Sequence, residues 1–328
     1  MMKCPNPNCN ETDHEDGAKF CHRCGTQLVS RGHAGTTGAG NKRPSVNPVL
    51  VFQNNSTGVL FKMIKVDGGT FYMGVTPKEA QKLMSKGVDW RKKYPLITLK
   101  SYYIGETVVT QALWKAVMNQ SPVTQAYWQS SLGDMNNPSR FKGDNLPVEN
   151  VSWNNCQEFI RKLNELLRFE FRLPTEAEWE FASKGGNLSK GCEFSGSNDL
   201  RDVAWVTEMG QSSYSSTTKP VKTKLPNELG LYDMTGNVWE WCEGTFDEEY
   251  VKKYGNNEIP EEYLSSYIGT KILKGFSAFY YADTVEGHPS IRKHEWANLR
   301  NPSLYENGQE RDGYWYDAFG FRLALSLE

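Results

Sequence analysis

Long stretches with no periodicity separate the few short elements of this chain, and neither an internal repeat nor a parallel βαβ rhythm links them. That excludes solenoids and doubly wound sheets and points to a loop-rich α+β fold. Ten Trp, sixteen Tyr and 29 Gly stand beside a mean hydropathy of −0.62, a mix suited to aromatics anchoring irregular backbone. Val59–Val66 reads as a strand, Gly68-Gly69 as its turn and Thr70–Met73 as the return strand of a hairpin. Thr76–Ser85 reads as a helix with Pro77 at its first position. Thr110–Met118 follows, with Thr110 as N-cap and Leu113, Trp114, Val117 and Met118 on one face. Asn154–Leu167 is predicted to turn Phe159, Leu163 and Leu166 inward, and Thr175 with Glu178 forms a capping box that opens a fourth helix.

The 328 residues suffice for one elaborate domain with a small appendage. A net charge of −2 provides no global field for nucleic acid or an anionic membrane, so no nucleic-acid partner is expected. No run of about 18 uncharged apolar residues occurs, so no membrane span is expected. The start Met-Met-Lys-Cys-Pro has no apolar run behind it, and a cytoplasmic location is the expectation.

Cysteine usage is uneven. Cys4, Cys9, Cys21 and Cys24 crowd the first segment, while Cys156, Cys192 and Cys242 are scattered, an odd remainder that argues against a disulfide framework. Two cysteine pairs separated by a short polar stretch resemble a zinc ribbon over residues 1–29. Zn²⁺ takes four thiolate or imidazole ligands in a tetrahedron, and a segment this small could not fold on apolar burial alone. His14 or His22 could replace a thiolate, and free or oxidised thiols are the alternative. Four protein ligands leave no open position, so the zinc would be structural and the ribbon would dock a protein partner. Residues 30–48 are mostly Gly, Ser, Thr, Asn and Pro and read as a flexible linker. Residues 49–328 form the main domain.

Seven blocks then occur in order: 66–74 (Val-Asp-Gly-Gly-Thr-Phe-Tyr-Met-Gly), 103–114, 137–141 (Asn-Pro-Ser-Arg-Phe), 146–153 (Leu-Pro-Val-Glu-Asn-Val-Ser-Trp), 171–182 (Phe-Arg-Leu-Pro-Thr-Glu-Ala-Glu-Trp-Glu-Phe-Ala), 230–241 (Gly-Leu-Tyr-Asp-Met-Thr-Gly-Asn-Val-Trp-Glu-Trp) and 320–324 (Gly-Phe-Arg-Leu-Ala). Together they resemble the sulfatase-modifying-factor, or formylglycine-generating enzyme, family. The resemblance implies a C-type-lectin-like fold, one also used by the variable proteins of diversity-generating retroelements. In the true enzymes two cysteines between an Arg/Lys-Gly-Gly-Ser block and the closing Gly-Phe-Arg block hold copper, because soft sulfur selects Cu(I). Here the opening is Lys274-Gly275-Phe276-Ser277, and Lys274 to Arg322 contains no cysteine. Tyr280 falls near the first missing thiol and is no replacement for it. No copper and no catalytic residue are expected. The family's calcium loop carries over as Asp233, Gly236, Val238 and Glu240, oxygen ligands of the hard kind Ca²⁺ prefers; the alternative is that Trp239 and Trp241 pin a tight loop whose carboxylates only cap turns.

The stretch Lys274–Phe319 departs most from the family and is crowded with aromatics interleaved with Arg and Asp. That mixture favours recognition, since aromatics supply rigid contact area and Arg and Asp directional bonds. Phe279, Tyr280, Tyr281, Tyr305, Tyr314, Trp315 and Tyr316 are the candidate ligand-facing residues. In the retroelement variable proteins this stretch is the diversified binding face. Trp296 and Phe319 are expected in the core, with Arg300 and Arg322 making structural hydrogen bonds. The expected function is a non-catalytic binder of a protein or other macromolecular ligand. An oxygen-dependent oxidase with an altered site and an assembly scaffold are the alternatives.

Overall fold

The computed structural model describes residues 49–53, 59–74, 95–119, 136–207, 216–246, 249, 269–279 and 318–327, together with the backbone of short strands at 292–295, 305–306 and 309–310. The ribbon, the linker and the Thr76–Ser85 helix lie outside the described residues. So do Tyr280, Tyr281, Trp296, Arg300, Tyr314, Trp315 and Tyr316.

Numbered in chain order, β1 (Val49–Gln53), β2 (Leu60–Val66), β5 (Tyr102–Gly105), β13 (Ala324–Ser326) and β6 (Phe171–Arg172) form one antiparallel sheet in that spatial order. A second sheet runs β12 (Phe319–Phe321), β7 (Trp239–Trp241), β8 (Lys271–Lys274) and β9 (Arg292–Glu295), with β12 parallel to β7 and the other pairs antiparallel. Only Arg322 and Leu323 separate β12 from β13, so the chain crosses from one sheet to the other at that corner. Three backbone bonds pin the region: Gly105 N–H to Leu323 O, Val109 N–H to Phe321 O and Trp239 N–H to Ala318 O, all at 2.8 Å.

The predicted hairpin does not form. β3 (Thr70–Tyr72) pairs with β4 (Leu96–Thr98), while β2 lies between β1 and β5. Gly68 marks a close chain approach instead of a reversal, since a Cβ there would lie 2.4 Å from the Leu99 carbonyl oxygen.

Helix α1 (Gln111–Met118) begins where Thr110 Oγ1 accepts the Leu113 N–H at 3.3 Å, and it is buried on most of its surface. Helix α2 (Trp153–Leu167) has Ser152 and Asn155 in a capping box and ends at Arg168, whose φ of +58° stops the helix in the left-handed region. Its outer face carries Glu158, Arg161 and Glu165 in exposed ion pairs. Its inner face buries Phe159, Ile160 and Leu163. Leu166, predicted to face inward, is 44% exposed. Leu167 packs on the core in its place, which keeps the inward stripe at the helical spacing. The main core gathers on Trp114, stacked on Phe159 at 5.3 Å, with Phe321 edge-on to both rings. A second aromatic group, Phe52, Phe61, Phe169 and Phe171, ties β1, β2 and β6 together. Among the described residues no helix is long and apolar enough to cross a membrane.

Candidate functional site

Helix α3 (Glu176–Ser183) opens with Thr175 and Glu178 in the predicted capping box, and all eight of its residues are buried. Three of those residues are glutamates, and buried carboxylates need cations or donors. Arg172 takes Glu178 through two bonds of 2.6 and 2.7 Å. Lys274, at the end of β8 and fully buried, lies 3.5 Å from Glu176 and 3.1 Å from Glu180. Glu180 also accepts Lys184 Nζ at 2.8 Å and the Gly74 N–H at 2.6 Å. Burial opposes ionisation of Glu180, but Lys184 and Lys274 outweigh it and hold the carboxyl below its ordinary range. Sequence reading missed this network, although Glu176, Glu180 and Lys184 sit at i, i+4 and i+8 on one face.

Beside it lies a second buried pair. Arg322, at the corner between the sheets, donates Nε to Glu240 Oε2 at 2.5 Å and Nη2 to Oε1 at 2.7 Å. The Trp179 indole adds a 2.8 Å bond to Oε2, and Arg322 also reaches the carbonyls of Gly105 and Tyr232 at 3.0 and 3.1 Å. One side chain thereby ties β7, β5 and the loop before β7 together. The predicted structural role of Arg322 and the burial of Phe319 both hold.

Asp233, Gly236, Val238 and Glu240, the predicted calcium ligands, come together in one buried turn, with Asp233 at φ +55°. The donor set does not fit calcium in this arrangement. Both Glu240 oxygens face a guanidinium, the Gly236 carbonyl accepts the Val238 N–H at 2.9 Å, and Asp233 Oδ2 accepts the Lys222 N–H at 3.0 Å. Calcium takes six to eight oxygens. Among the described residues no group of three or more His, Cys, Asp or Glu side chains is placed to hold a metal ion. Burial chiefly, with Glu240 nearby, pushes the Asp233 carboxyl up to about 6 against hydrogen bonds from Lys222 and Asn237.

The three described thiols are poorly placed for soft-metal chemistry. Cys156 and Cys242 are fully buried, and burial pushes both thiols well up. Burial and the Glu228 carboxylate raise Cys192 as well. All three surroundings favour the thiol over the thiolate that copper would need.

At the start of the aromatic stretch, Phe276 adopts φ +71° and is buried edge-on against Trp239 at 6.0 Å. A phenylalanine in that region is strained, and its packing in the core offsets the strain. Phe279 corrects an expectation: it is 7% exposed and stacked on Phe141 at 6.0 Å, so it is a core residue and not part of a ligand face. The reason is geometric, since Ala278 and Phe279 share one apolar cluster with Val108, Val238 and Ala318. Residues 280–317 therefore leave from and return to the same small cluster. Of the other candidates only the backbone of Tyr305 is described, in β10 (Tyr305–Glu306) paired with β11 (Gln309–Glu310).

Comparison with known proteins agrees with this frame. The chain is 34% identical to the chaperone protein LppX of Paenibacillus barcinonensis over 44% of its length and 63% of the relative's. It is 35% identical to the formylglycine-generating enzyme of Thermomonospora curvata over 42% of the chain and 44% of the enzyme. It is also 35% identical to the inactive C-alpha-formylglycine-generating enzyme 2 of Mus musculus, over 41% and 43%. The matched stretch thus covers less than two thirds of each of these relatives. Among solved structures, Treponema denticola variable protein 1 superposes with a TM-score of 0.56 at 25% identity, over 84% of this chain and 98% of that one. PvdO from Pseudomonas aeruginosa, at 20% identity and a TM-score of 0.54, shares the fold. The sulfatase-modifying factor enzyme 1-like domain matches residues 48–327, and the chain belongs to that family.

Proposed function

We propose that this protein is a non-catalytic binder that presents the aromatic segments of residues 280–317, on either side of β9, as a recognition face on a rigid scaffold. The carrying observation is the absence of any cysteine between Lys274 and Arg322, together with the anchoring of both ends of that stretch in the Phe279–Ala318 cluster. A segment with fixed ends loses less entropy when it engages a partner. The similarity to a variable protein supports a macromolecular ligand, and retroelement diversification of the stretch is part of the proposal. Tyr280, Tyr281, Tyr305, Tyr314, Trp315 and Tyr316 are the contact residues in this reading, and the N-terminal ribbon, with zinc on Cys4, Cys9, Cys21 and Cys24, docks a protein partner.

The test has two arms. Metal analysis of the purified chain should give one zinc, lost when Cys21 and Cys24 become serine. Partners captured from the source cell's extract should be lost in a Tyr280→Ala, Trp315→Ala, Tyr316→Ala variant whose melting temperature is unchanged. Undiminished capture by that variant contradicts the recognition face and favours an assembly scaffold.

A further inference from the structure

A cavity of about 500 Å³ opens between β2, the β5–α1 connection and the loop at Lys222. Among the described residues, those that line it lie outside 274–319. The size falls within the range of small-ligand pockets. Its walls mix polar and apolar surface, and Leu60 on them is left 48% exposed. Among the described residues, three charged side chains line it: Lys62, Lys222 and Glu106. The described lining is therefore net positive by one charge. The first turn of α1 also borders the cavity, but its N–H groups are occupied by Leu146 O, Asp144 O and Thr110 Oγ1, so the helix end offers nothing to an anion.

Lys222 is the unusual residue. Its φ of +63° is a region that glycine enters freely and a lysine enters at a cost. The backbone demand comes from its N–H bond to Asp233, which a glycine would make equally well. What the lysine adds is its side chain, which lies 2.8 Å from Glu106 Oε2 and 5.0 Å from the centre of the Tyr232 ring. An ammonium has three donors, and Glu106 uses one of them while fixing the head group at the cavity.

We propose that this cavity binds a small amphiphilic monoanion, an apolar body bearing one carboxylate. The carboxylate takes the remaining Lys222 donors, and the apolar body covers the exposed Leu60. Binding removes exposed apolar surface and adds a charge-assisted hydrogen bond.

The test uses the full chain with octanoate and, as its charge-reversed counterpart, octylamine, read by calorimetry and by melting temperature. Wild type should bind octanoate and should not bind octylamine measurably. Lys222→Gly should melt no lower than wild type, because the glycine relieves the backbone, yet bind octanoate about tenfold more weakly or worse. Lys222→Met, which keeps the strained backbone and the aliphatic stem, should show the same loss of binding. The proposal is overturned if wild type ignores octanoate, if octylamine binds as well, or if either variant binds octanoate like wild type.

Discussion

The five-stranded sheet meets its neighbours through apolar rings, Phe52, Phe61, Phe169 and Phe171, whereas the four-stranded sheet carries Lys274, Glu240 and the adjoining Arg322 inward, each without measurable exposure. The first kind of contact is non-directional and tolerates exchange of one hydrophobe for another. The second is directional, since each charge needs its partner at one position. The charged side of the domain is also the side from which residues 280–317 depart and to which they return.

Breaking that contrast should be easiest at its strongest point. Arg322→Met strands a buried Glu240 carboxylate and should cost about 3–5 kcal/mol in urea unfolding. Adding Glu240→Gln should restore part of the loss. If Arg322→Met costs no more than an ordinary core exchange, the two sheets do not differ as described.

Glu149 gives the next largest effect. It is fully buried, accepts the Phe141 N–H at 3.0 Å, and burial pushes its carboxyl up to about 7 from an ordinary 4.5. The folded chain therefore binds this proton more tightly than the unfolded chain. The stability that this provides is fully present below about pH 4.5 and is lost as pH rises through about 7. Glu149→Gln stays neutral throughout, so its stability relative to wild type should rise between those limits by an amount on the order of a few kcal/mol. A difference that stays flat with pH would remove Glu149 as the cause.

On the apolar side, Met63→Leu should cost less than about 1.5 kcal/mol despite complete burial, a direct counterpart to Arg322. Thr175→Ala removes the cap of α3 and should cost about 1 kcal/mol. The smallest expected effect is none: because the guanidinium supplies the positive charge at Glu240, chelation with EGTA and addition of calcium should leave unfolding of the 49–328 domain unchanged. A melting temperature that rises with calcium would restore calcium to the Asp233–Glu240 turn.

Local rules carried the sequence reading furthest where the physics is local. The caps at Thr110 and Thr175 and the strand at 60–66 follow from side-chain chemistry within a few residues. The failures are tertiary. Gly68-Gly69 resembles a hairpin turn, but β5 occupies the place beside β2 that the return strand would have taken. Glu240 resembles a cation ligand until Arg322, 82 residues later, is brought against it. Phe279 looks like one of a run of exposed aromatics, and only the fold shows Phe141 beneath it. The cavity at Lys222 left no sequence signal, because a lysine in the left-handed region is visible only in the backbone.

The central claim, that the old oxidase position now serves recognition, meets its most direct test at an oxygen electrode. The full chain, supplied with Cu(I) and a cysteine-containing peptide, should consume oxygen no faster than copper and peptide without protein. Oxygen uptake that scales with protein and yields an aldehyde on the peptide cysteine would contradict it.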